Sequence, residues 1–299
     1  METKGLLLKE ILPQVPERIR NFYEPFLENG PLFLNVKADQ YYLNSKDEDL
    51  SGLYKVMKKR RQNFWLTLQA ACEAWKKVEA HIFGVQEDLL KLAFQYNRRW
   101  KDNYSGFVGE VGDVLEKIRY ADLFGVTLPD PADFKMELRH QVLDALVQIA
   151  ETEPADEVRV LLTAMKAAVY EFMALLYERE GVETGVHLAA MVFVKELSID
   201  GEFGGEEVID RKPGSLLIQL HKDPAFMEKL DAAHIWRYEA PTFLKKVGIT
   251  KDDFLFVHPP VDYPLDSLRA YLDKCPGRWM LVTEDRKGTR IEMNYRIAL

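Results

Sequence analysis

Two histidines with carboxylates nearby are the side chains in this sequence best suited to acid–base chemistry. His221 and His258 each follow a short apolar run that predicts a β-strand, and Asp223 and Asp262 come shortly after them. Functional sites in α/β sheets gather at the ends of strands. An imidazole beside a carboxylate can move protons, or can orient a nucleophile such as Ser215. These two histidines and two aspartates are therefore the candidate catalytic residues.

A second set of candidate residues is basic and lies on predicted helices. Residues 45–105 contain more cations than carboxylates, although the chain as a whole has a net charge of −8. Such a cluster can contact phosphates or an acidic protein surface. Residues 58–61 are consecutive, so on a helix they surround the axis and do not form one stripe. The candidate binding residues are Lys55, Lys58, Lys59, Arg60, Arg61, Arg98, Arg99 and Lys101. A solvated helix face would explain them without any partner.

The acidic, glycine-rich segment from Asp200 to Asp210 could supply oxygen ligands to a hard cation. Its spacing does not match the calcium loop of EF-hand proteins, because Arg211 stands where the bidentate glutamate belongs. We expect an exposed hairpin loop here, and the sequence leaves cation binding open. Two cysteines, Cys72 and Cys275, cannot form a metal site by themselves. The chain also lacks the glycine-rich phosphate-binding motifs and the short hydrolase motifs, so no metal and no cofactor are expected.

The elements that position these residues change in character near Gly181. From Ser45 onward apolar residues recur at helical spacing, and Ser45 and Glu48 match a capping box. One very long helix or two consecutive helices are predicted over 46–100, and Gly84, between the stretches 46–83 and 85–100, is the residue at which the helix would bend or break. Three more helices are predicted over 107–124, 131–150 and 154–180, and their short connections favour antiparallel packing.

Beyond Gly181 the sequence alternates between strand and helix patterns. Strands are predicted at 216–220 and 254–257, and helices at 224–230 and 265–272. The clearest signal is a final hairpin of 279–283 and 290–297, where apolar and polar residues alternate strictly. A further short strand is predicted at 32–36.

These patterns predict the α+β fold class. The expected architecture is an antiparallel bundle of very long helices in a domain of residues 1–181. A smaller mixed α/β domain of residues 182–299 follows and ends in an antiparallel β-hairpin. The apolar and charged fractions, 47% and 29%, are those of a folded globular protein.

The uninterrupted apolar runs are too short to span a bilayer, so we expect a soluble, cytoplasmic protein that does not bind membranes. Long helices with large aromatic residues and an uneven charge distribution favour a non-catalytic adaptor or regulatory protein. It would act through contacts with another protein, within a larger complex. The alternative is a hydrolase or transferase with a His/Asp site in the C-terminal domain. A second alternative is a nucleic-acid-binding accessory protein that uses the basic helix segments.

Overall fold

The computed structural model describes residues 8–27, 31–125, 131–179, 184–285 and 288–295. The chain forms two compact units. The first, here called the α/β unit, combines the chain up to Lys59 with the chain from Leu220 onward. The second, the helical unit, is the segment Arg60–Gln219 between them. These limits differ from the predicted domains 1–181 and 182–299, because the N-terminal segment contributes two central strands to the sheet of the C-terminal part.

The described strands are β1 (Asn21–Glu24), β2 (Gln40–Asn44), β3 (Ser198–Ile199), β4 (Glu202–Phe203), β5 (Ala233–Trp236), β6 (Phe254–Val257), β7 (Arg278–Asp285) and β8 (Gly288–Met293). Six of them form one sheet in the α/β unit, in the order β5-β2-β1-β6-β7-β8. Neighbouring strands are parallel except for the antiparallel pair β7–β8. β3 and β4 form a separate two-stranded ribbon in the helical unit.

The described α-helices are α1 (Pro31–Asn35), α2 (Glu48–Lys58), α3 (Gln62–Phe83), α4 (Gln86–Gln95), α5 (Tyr104–Leu115), α6 (Tyr120–Phe124), α7 (Pro131–Thr152), α8 (Glu157–Arg179), α9 (Gly185–Leu197), α10 (Ser215–His221), α11 (Pro224–Asp231), α12 (Ala240–Lys246) and α13 (Asp266–Leu272). A π-helical turn, Tyr96–Trp100, follows α4. The α+β class is confirmed, as are the strand at 254–257, the helices near 224–230 and 265–272, and the C-terminal hairpin.

Two strand predictions are wrong, and both segments are helical. Residues 32–36 fall mainly in α1, which begins at Pro31, a residue suited to the first turn of a helix. Residues 216–220 lie in α10. A short apolar run is compatible with either a strand or a buried helix, and the sequence pattern alone does not separate the two.

The predicted helix over 46–83 is divided at the boundary between the units. Arg60 has a φ of 48°, and a left-handed residue ends a helix. The cap also differs from the expected Ser45–Glu48 box. Asp47 caps α2 by accepting a hydrogen bond from the Leu50 N–H at 3.0 Å, while Ser45 Oγ accepts one from the Asp47 N–H. Gly181, near which the sequence changes in character, lies outside the described residues.

The helical unit is built around α8, which packs on α3, α7 and α9. Its largest fully buried side chains are aromatic: Phe64, Trp75, Phe107, Phe134, Phe172 and Phe193. By length and composition α8 could cross a membrane, but most of its apolar stretch is buried in this core. That burial is typical of a core helix in a soluble protein; the cytoplasmic location stays a prediction.

Candidate functional site

The candidate site lies at the edge of the six-stranded sheet where the parallel strands end, which we call the carboxyl edge. β1 pairs with β2 on one side and with β6 on the other, so the winding of the chain reverses between β1 and β6. In open α/β sheets ligands bind outside the carboxyl ends of the strands at such a switch point. All four residues of β1 and of β6 are buried. β6 is apolar throughout, as is typical of a buried parallel strand, whereas β1 begins with Asn21 and ends with Glu24.

Asn44, the last residue of β2, binds two loops of the carboxyl edge. Its side chain is 1% exposed, and its Nδ2 donates to the carbonyl oxygens of Pro25 at 3.0 Å and Tyr238 at 2.9 Å. The Tyr238 N–H in turn donates to Asn44 Oδ1 at 2.9 Å. The backbone carbonyl of Asn44 accepts a hydrogen bond from the Leu27 N–H at 2.8 Å. The loops after β1 and β5 are therefore fixed relative to the end of β2.

Glu24, the last residue of β1, places a carboxylate at the switch point. It is 2% exposed. Its charge acts on Tyr54 of α2: burial, and to a smaller extent the Glu24 charge, raise the pKa of the Tyr54 hydroxyl above its usual value. Tyr54 therefore stays a neutral phenol beside this carboxylate.

On the other side of the switch point, His258 follows β6 directly. Its Nε2 lies 3.4 Å from Oε1 of Glu284 on β7, the next strand of the sheet. The His258 side chain is 18% exposed and that of Glu284 is 43% exposed. Phe26 and Tyr263, from the loops after β1 and β6, meet edge to face with ring centroids 4.8 Å apart. The loops after β1 and β6 are therefore in contact next to the switch point.

Carboxylates outnumber cations in the described parts of the loops that follow β1, β2, β5 and β6. The cations are Lys46 and Arg237, and both are paired: Lys46 Nζ lies 3.6 Å from Glu239 Oε1, and Arg237 contacts Glu48. The carboxylates of these loops are Asp47, Glu239 and Asp262, and Glu24 and Glu48 flank the loops at the end of β1 and the start of α2. This edge consequently favours positively charged ligands over phosphates.

The four predicted catalytic residues all belong to the α/β unit and lie at different elements of it. His258 lies at the switch point, but the carboxylate near it is that of Glu284, while Asp262 is exposed in the following loop. His221 ends α10. Asp223 caps α11 by accepting a hydrogen bond from the Ala225 N–H at 3.0 Å.

The predicted binding residues divide between the two units. Lys55, Lys58 and Lys59 belong to the α/β unit, and the five others to the helical unit. Lys58 Nζ donates to the carbonyl oxygens of Asp231 at 3.1 Å and Ala233 at 2.6 Å, which joins α2 to the start of β5. The Arg99 guanidinium lies 4.4 Å from the centre of the Trp100 ring. At least two of these cations thus have contacts within their own unit.

The acidic segment forms a tight turn. Asp200 and Gly201, with φ values of 53° and 93°, connect β3 to β4. Arg159 of α8 then pairs with Glu206 at 3.2 Å and with Asp210 at 3.7 Å. Within the described part of the chain, no group of three or more His, Cys, Asp or Glu side chains is placed to hold a metal ion.

Sequence reasoning missed Glu24, Asn44, Asp47 and Glu284. The available signal was the pair of short apolar, aromatic-rich runs at 22–23 and 41–43, each followed directly by a polar residue, which is typical of buried parallel strands with functional ends. No model of a known protein family matches this chain, and no curated protein is significantly similar to it. The function is therefore argued from the geometry.

Proposed function

We propose that the carboxyl edge of the α/β unit binds a phosphate-free, positively charged nucleoside, which serves as the donor in a group-transfer reaction. S-adenosylmethionine is the common biological molecule of this class. The observation that carries the proposal is a nucleotide-type switch point surrounded by carboxylates, with both cations of its described loops already paired.

The sheet topology supports a nucleoside. The five parallel strands, taken in chain order, are arranged 3-2-1-4-5 across the sheet, which is the order of dinucleotide-binding sheets. In those sheets a carboxylate about 20 residues beyond the first loop binds the ribose hydroxyls. Asp47 occupies the corresponding place after β2 and is exposed. One of its oxygens caps α2, and the other can accept a hydrogen bond from a ribose.

The loop chemistry argues against phosphates. A pyrophosphate site needs glycines after the first strand and free N–H groups at the start of the next helix. Here Pro25 follows β1, and α1 is a five-residue helix that begins with Pro31, so neither proline can donate an N–H.

The charge of the edge argues for a cation. Carboxylates lie near the ends of three strands at this edge: Glu24 ends β1, Asp47 follows β2, and Glu284 lies near the end of β7. A sulfonium or ammonium group would be attracted to them, whereas ATP or NAD⁺ would bring its phosphates against them.

This proposal develops the transferase alternative and places it in the α/β unit. The adaptor function stays a second proposal, and it is supported by large apolar side chains exposed on the helical unit. Phe83, Phe94 and Met136 are 70%, 59% and 58% exposed, on α3, α4 and α7. Such residues are suited to contacts with another protein.

Nucleic-acid binding by the basic residues also stays a proposal, and it would weaken steeply with salt.

Isothermal titration of the full chain with S-adenosylmethionine, S-adenosylhomocysteine, ATP and NAD⁺ tests the donor proposal. We expect binding of the first ligand, weaker binding of the second because its sulfur is neutral, and no binding of the two phosphate-containing ligands. Tighter binding of ATP or NAD⁺ than of S-adenosylmethionine would overturn the proposal, as would no binding of either sulfur-containing nucleoside.

A further inference from the structure

Glu284 contacts one particular ring nitrogen of His258, and this determines which nitrogen can accept a proton. Glu284 faces Nε2, at 3.4 Å, so the opposite ring nitrogen, Nδ1, is directed away from this carboxylate. A carboxylate beside one nitrogen of a neutral imidazole favours the tautomer with the proton on that nitrogen. The neutral ring therefore carries its proton on Nε2 and leaves the lone pair of Nδ1 as an acceptor.

The same pair is placed where a second substrate would meet the donor. His258 follows β6, which pairs with β1, and β1 ends at the switch point. The His258 ring is partly exposed, so a substrate can reach it. Backbone pairing of β6 with β7, in which Val257 and Leu281 are register partners, brings the backbone of the two residues to neighbouring strand ends.

We propose that His258 and Glu284 form a proton-accepting pair that acts on the acceptor of the transfer reaction, a substrate whose attacking atom is a hydroxyl oxygen or an amino nitrogen. This inference rests on the proposed function. The acceptor atom gives its proton to Nδ1 and forms a bond to the transferred carbon with its lone pair. The carbon–sulfur bond breaks, and its electron pair stays on sulfur as a neutral thioether.

The net charge of the reacting groups stays the same in this step, because a positive charge moves from the donor to the imidazole. The donor loses its positive charge as the sulfonium becomes a thioether, and the imidazole gains one as it becomes imidazolium. The Glu284 carboxylate, 3.4 Å away, stabilises that imidazolium. His258 is the base in this scheme, and Glu284 is a positioning residue that selects the tautomer.

The tautomer is tested first, on the free full-length chain, by long-range ¹H–¹⁵N NMR of the histidine rings. We expect neutral His258 to carry its proton on Nε2, and Glu284→Gln to raise the population with the proton on Nδ1. His140, which lies 3.5 Å from Asp144 on an exposed helix face, is the internal reference in the same spectra. A proton on Nδ1 in the wild type, or an unchanged tautomer in Glu284→Gln, would overturn the proposal.

The base is tested by following radioactive methyl groups from S-adenosylmethionine into extract of the native host. His258→Ala should retain donor binding, lose transfer at least about 100-fold, and regain part of it with added imidazole. His258→Asn provides a second variant of similar polarity, with the melting temperature checked for both. The inference about His258 would be overturned, and the proposed donor binding would stand, by any of three results: full transfer by either variant, no rescue by imidazole, or no transfer by donor-loaded wild type. Absence of donor binding would overturn the proposed function instead.

Discussion

Asn44 and Tyr238 exchange two hydrogen bonds across 194 residues of sequence, one in each direction and each 2.9 Å long. The first residue ends β2 and the second lies just after β5, so the pair joins two neighbouring strand ends. A buried amide that satisfies backbone groups of two loops restricts their conformations before any ligand arrives. Asn44 therefore contributes to the order of two loops of the carboxyl edge.

Replacing Asn44 by alanine should destabilise the α/β unit by about 2–4 kcal/mol, because backbone groups of Pro25 and Tyr238 lose their buried partner. Urea unfolding followed by tryptophan fluorescence measures the change. Gln40→Ala on the same strand is the control, since Gln40 bonds an exposed histidine. Equal effects of the two substitutions would contradict this role of Asn44.

Asp47 should contribute to donor binding through its charge and to stability through its cap, and two substitutions separate these roles. Asp47→Asn keeps the cap on α2 and should leave stability within about 0.5 kcal/mol, while S-adenosylmethionine binds about tenfold more weakly. Asp47→Ala should in addition lose about 1 kcal/mol of stability.

Asp223→Asn is the matched control for Asp47, because Asp223 has the same capping role on α11. It should leave the affinity for S-adenosylmethionine unchanged. Titration calorimetry and urea unfolding measure the two quantities. An Asp47→Asn variant with wild-type affinity would exclude Asp47 from the binding site.

The sequence predicts the long helices because their apolar residues recur periodically, whereas the short helices α1 and α10 have the pattern of strands. Residues 104–115 and 157–179, for example, carry an apolar stripe over several turns. It predicts β6 and the β7–β8 hairpin for the same reason, since both have strong local patterns. These helices and strands depend on residues that are close together in the sequence, so their patterns can be recognised from the sequence alone.

The candidate site could not be predicted in the same way, because it is assembled from distant segments. β1 is only four residues long, and its pairing with β6 joins Phe22 to Phe254. Glu284 becomes the partner of His258 through the register of β6 and β7, whereas Asp262 is nearer in sequence but exposed. Chain topology decides these contacts, and no local pattern encodes it.

Gly214→Ala should destabilise the helical unit by at least about 2 kcal/mol. The φ of Gly214 is 69°, a conformation that costs other residues about 1–2 kcal/mol. A Cβ there would also lie 2.8 Å from Cys72 Sγ and 2.9 Å from a Leu68 methyl carbon. Gly109→Ala is the control: it lies within α5 with open space around it, and should stabilise by up to about 1 kcal/mol. Urea unfolding of both variants measures the change in the free energy of unfolding. An unchanged free energy for Gly214→Ala would contradict the close packing of Gly214 against Cys72 and Leu68.

Cys72 should be chemically inert in the folded protein. Burial raises the pKa of its thiol to about 12, and its Sγ donates to the Pro213 carbonyl oxygen at 2.9 Å. Because the thiolate is the reactive form, a disulfide reagent at pH 8 should label Cys72 only after unfolding. The Cys275→Ser variant isolates the Cys72 signal, and labelling in urea provides the positive control. Rapid labelling of native Cys275→Ser would contradict the prediction.

Glu196→Gln should stabilise the helical unit at neutral pH and have little effect in acid. Glu196 accepts a hydrogen bond from the Gly214 N–H at 2.6 Å, and burial raises the pKa of its carboxyl above the usual 4.5. The folded state thus holds this proton more tightly than the unfolded state. The stability that the protonated form contributes is present below pH 4.5 and is lost as pH rises through the folded pKa.

Glutamine keeps an acceptor for the Gly214 N–H and carries no charge at any pH, so the gain from Glu196→Gln should grow between pH 4.5 and pH 7.5. Urea unfolding of variant and wild type at several pH values measures the difference between them. Glu202→Gln, which removes an exposed carboxylate from β4, is the control and should show no such growth. A constant difference for Glu196→Gln, or one that shrinks as pH rises, would show that this carboxyl does not bind its proton more tightly in the folded state.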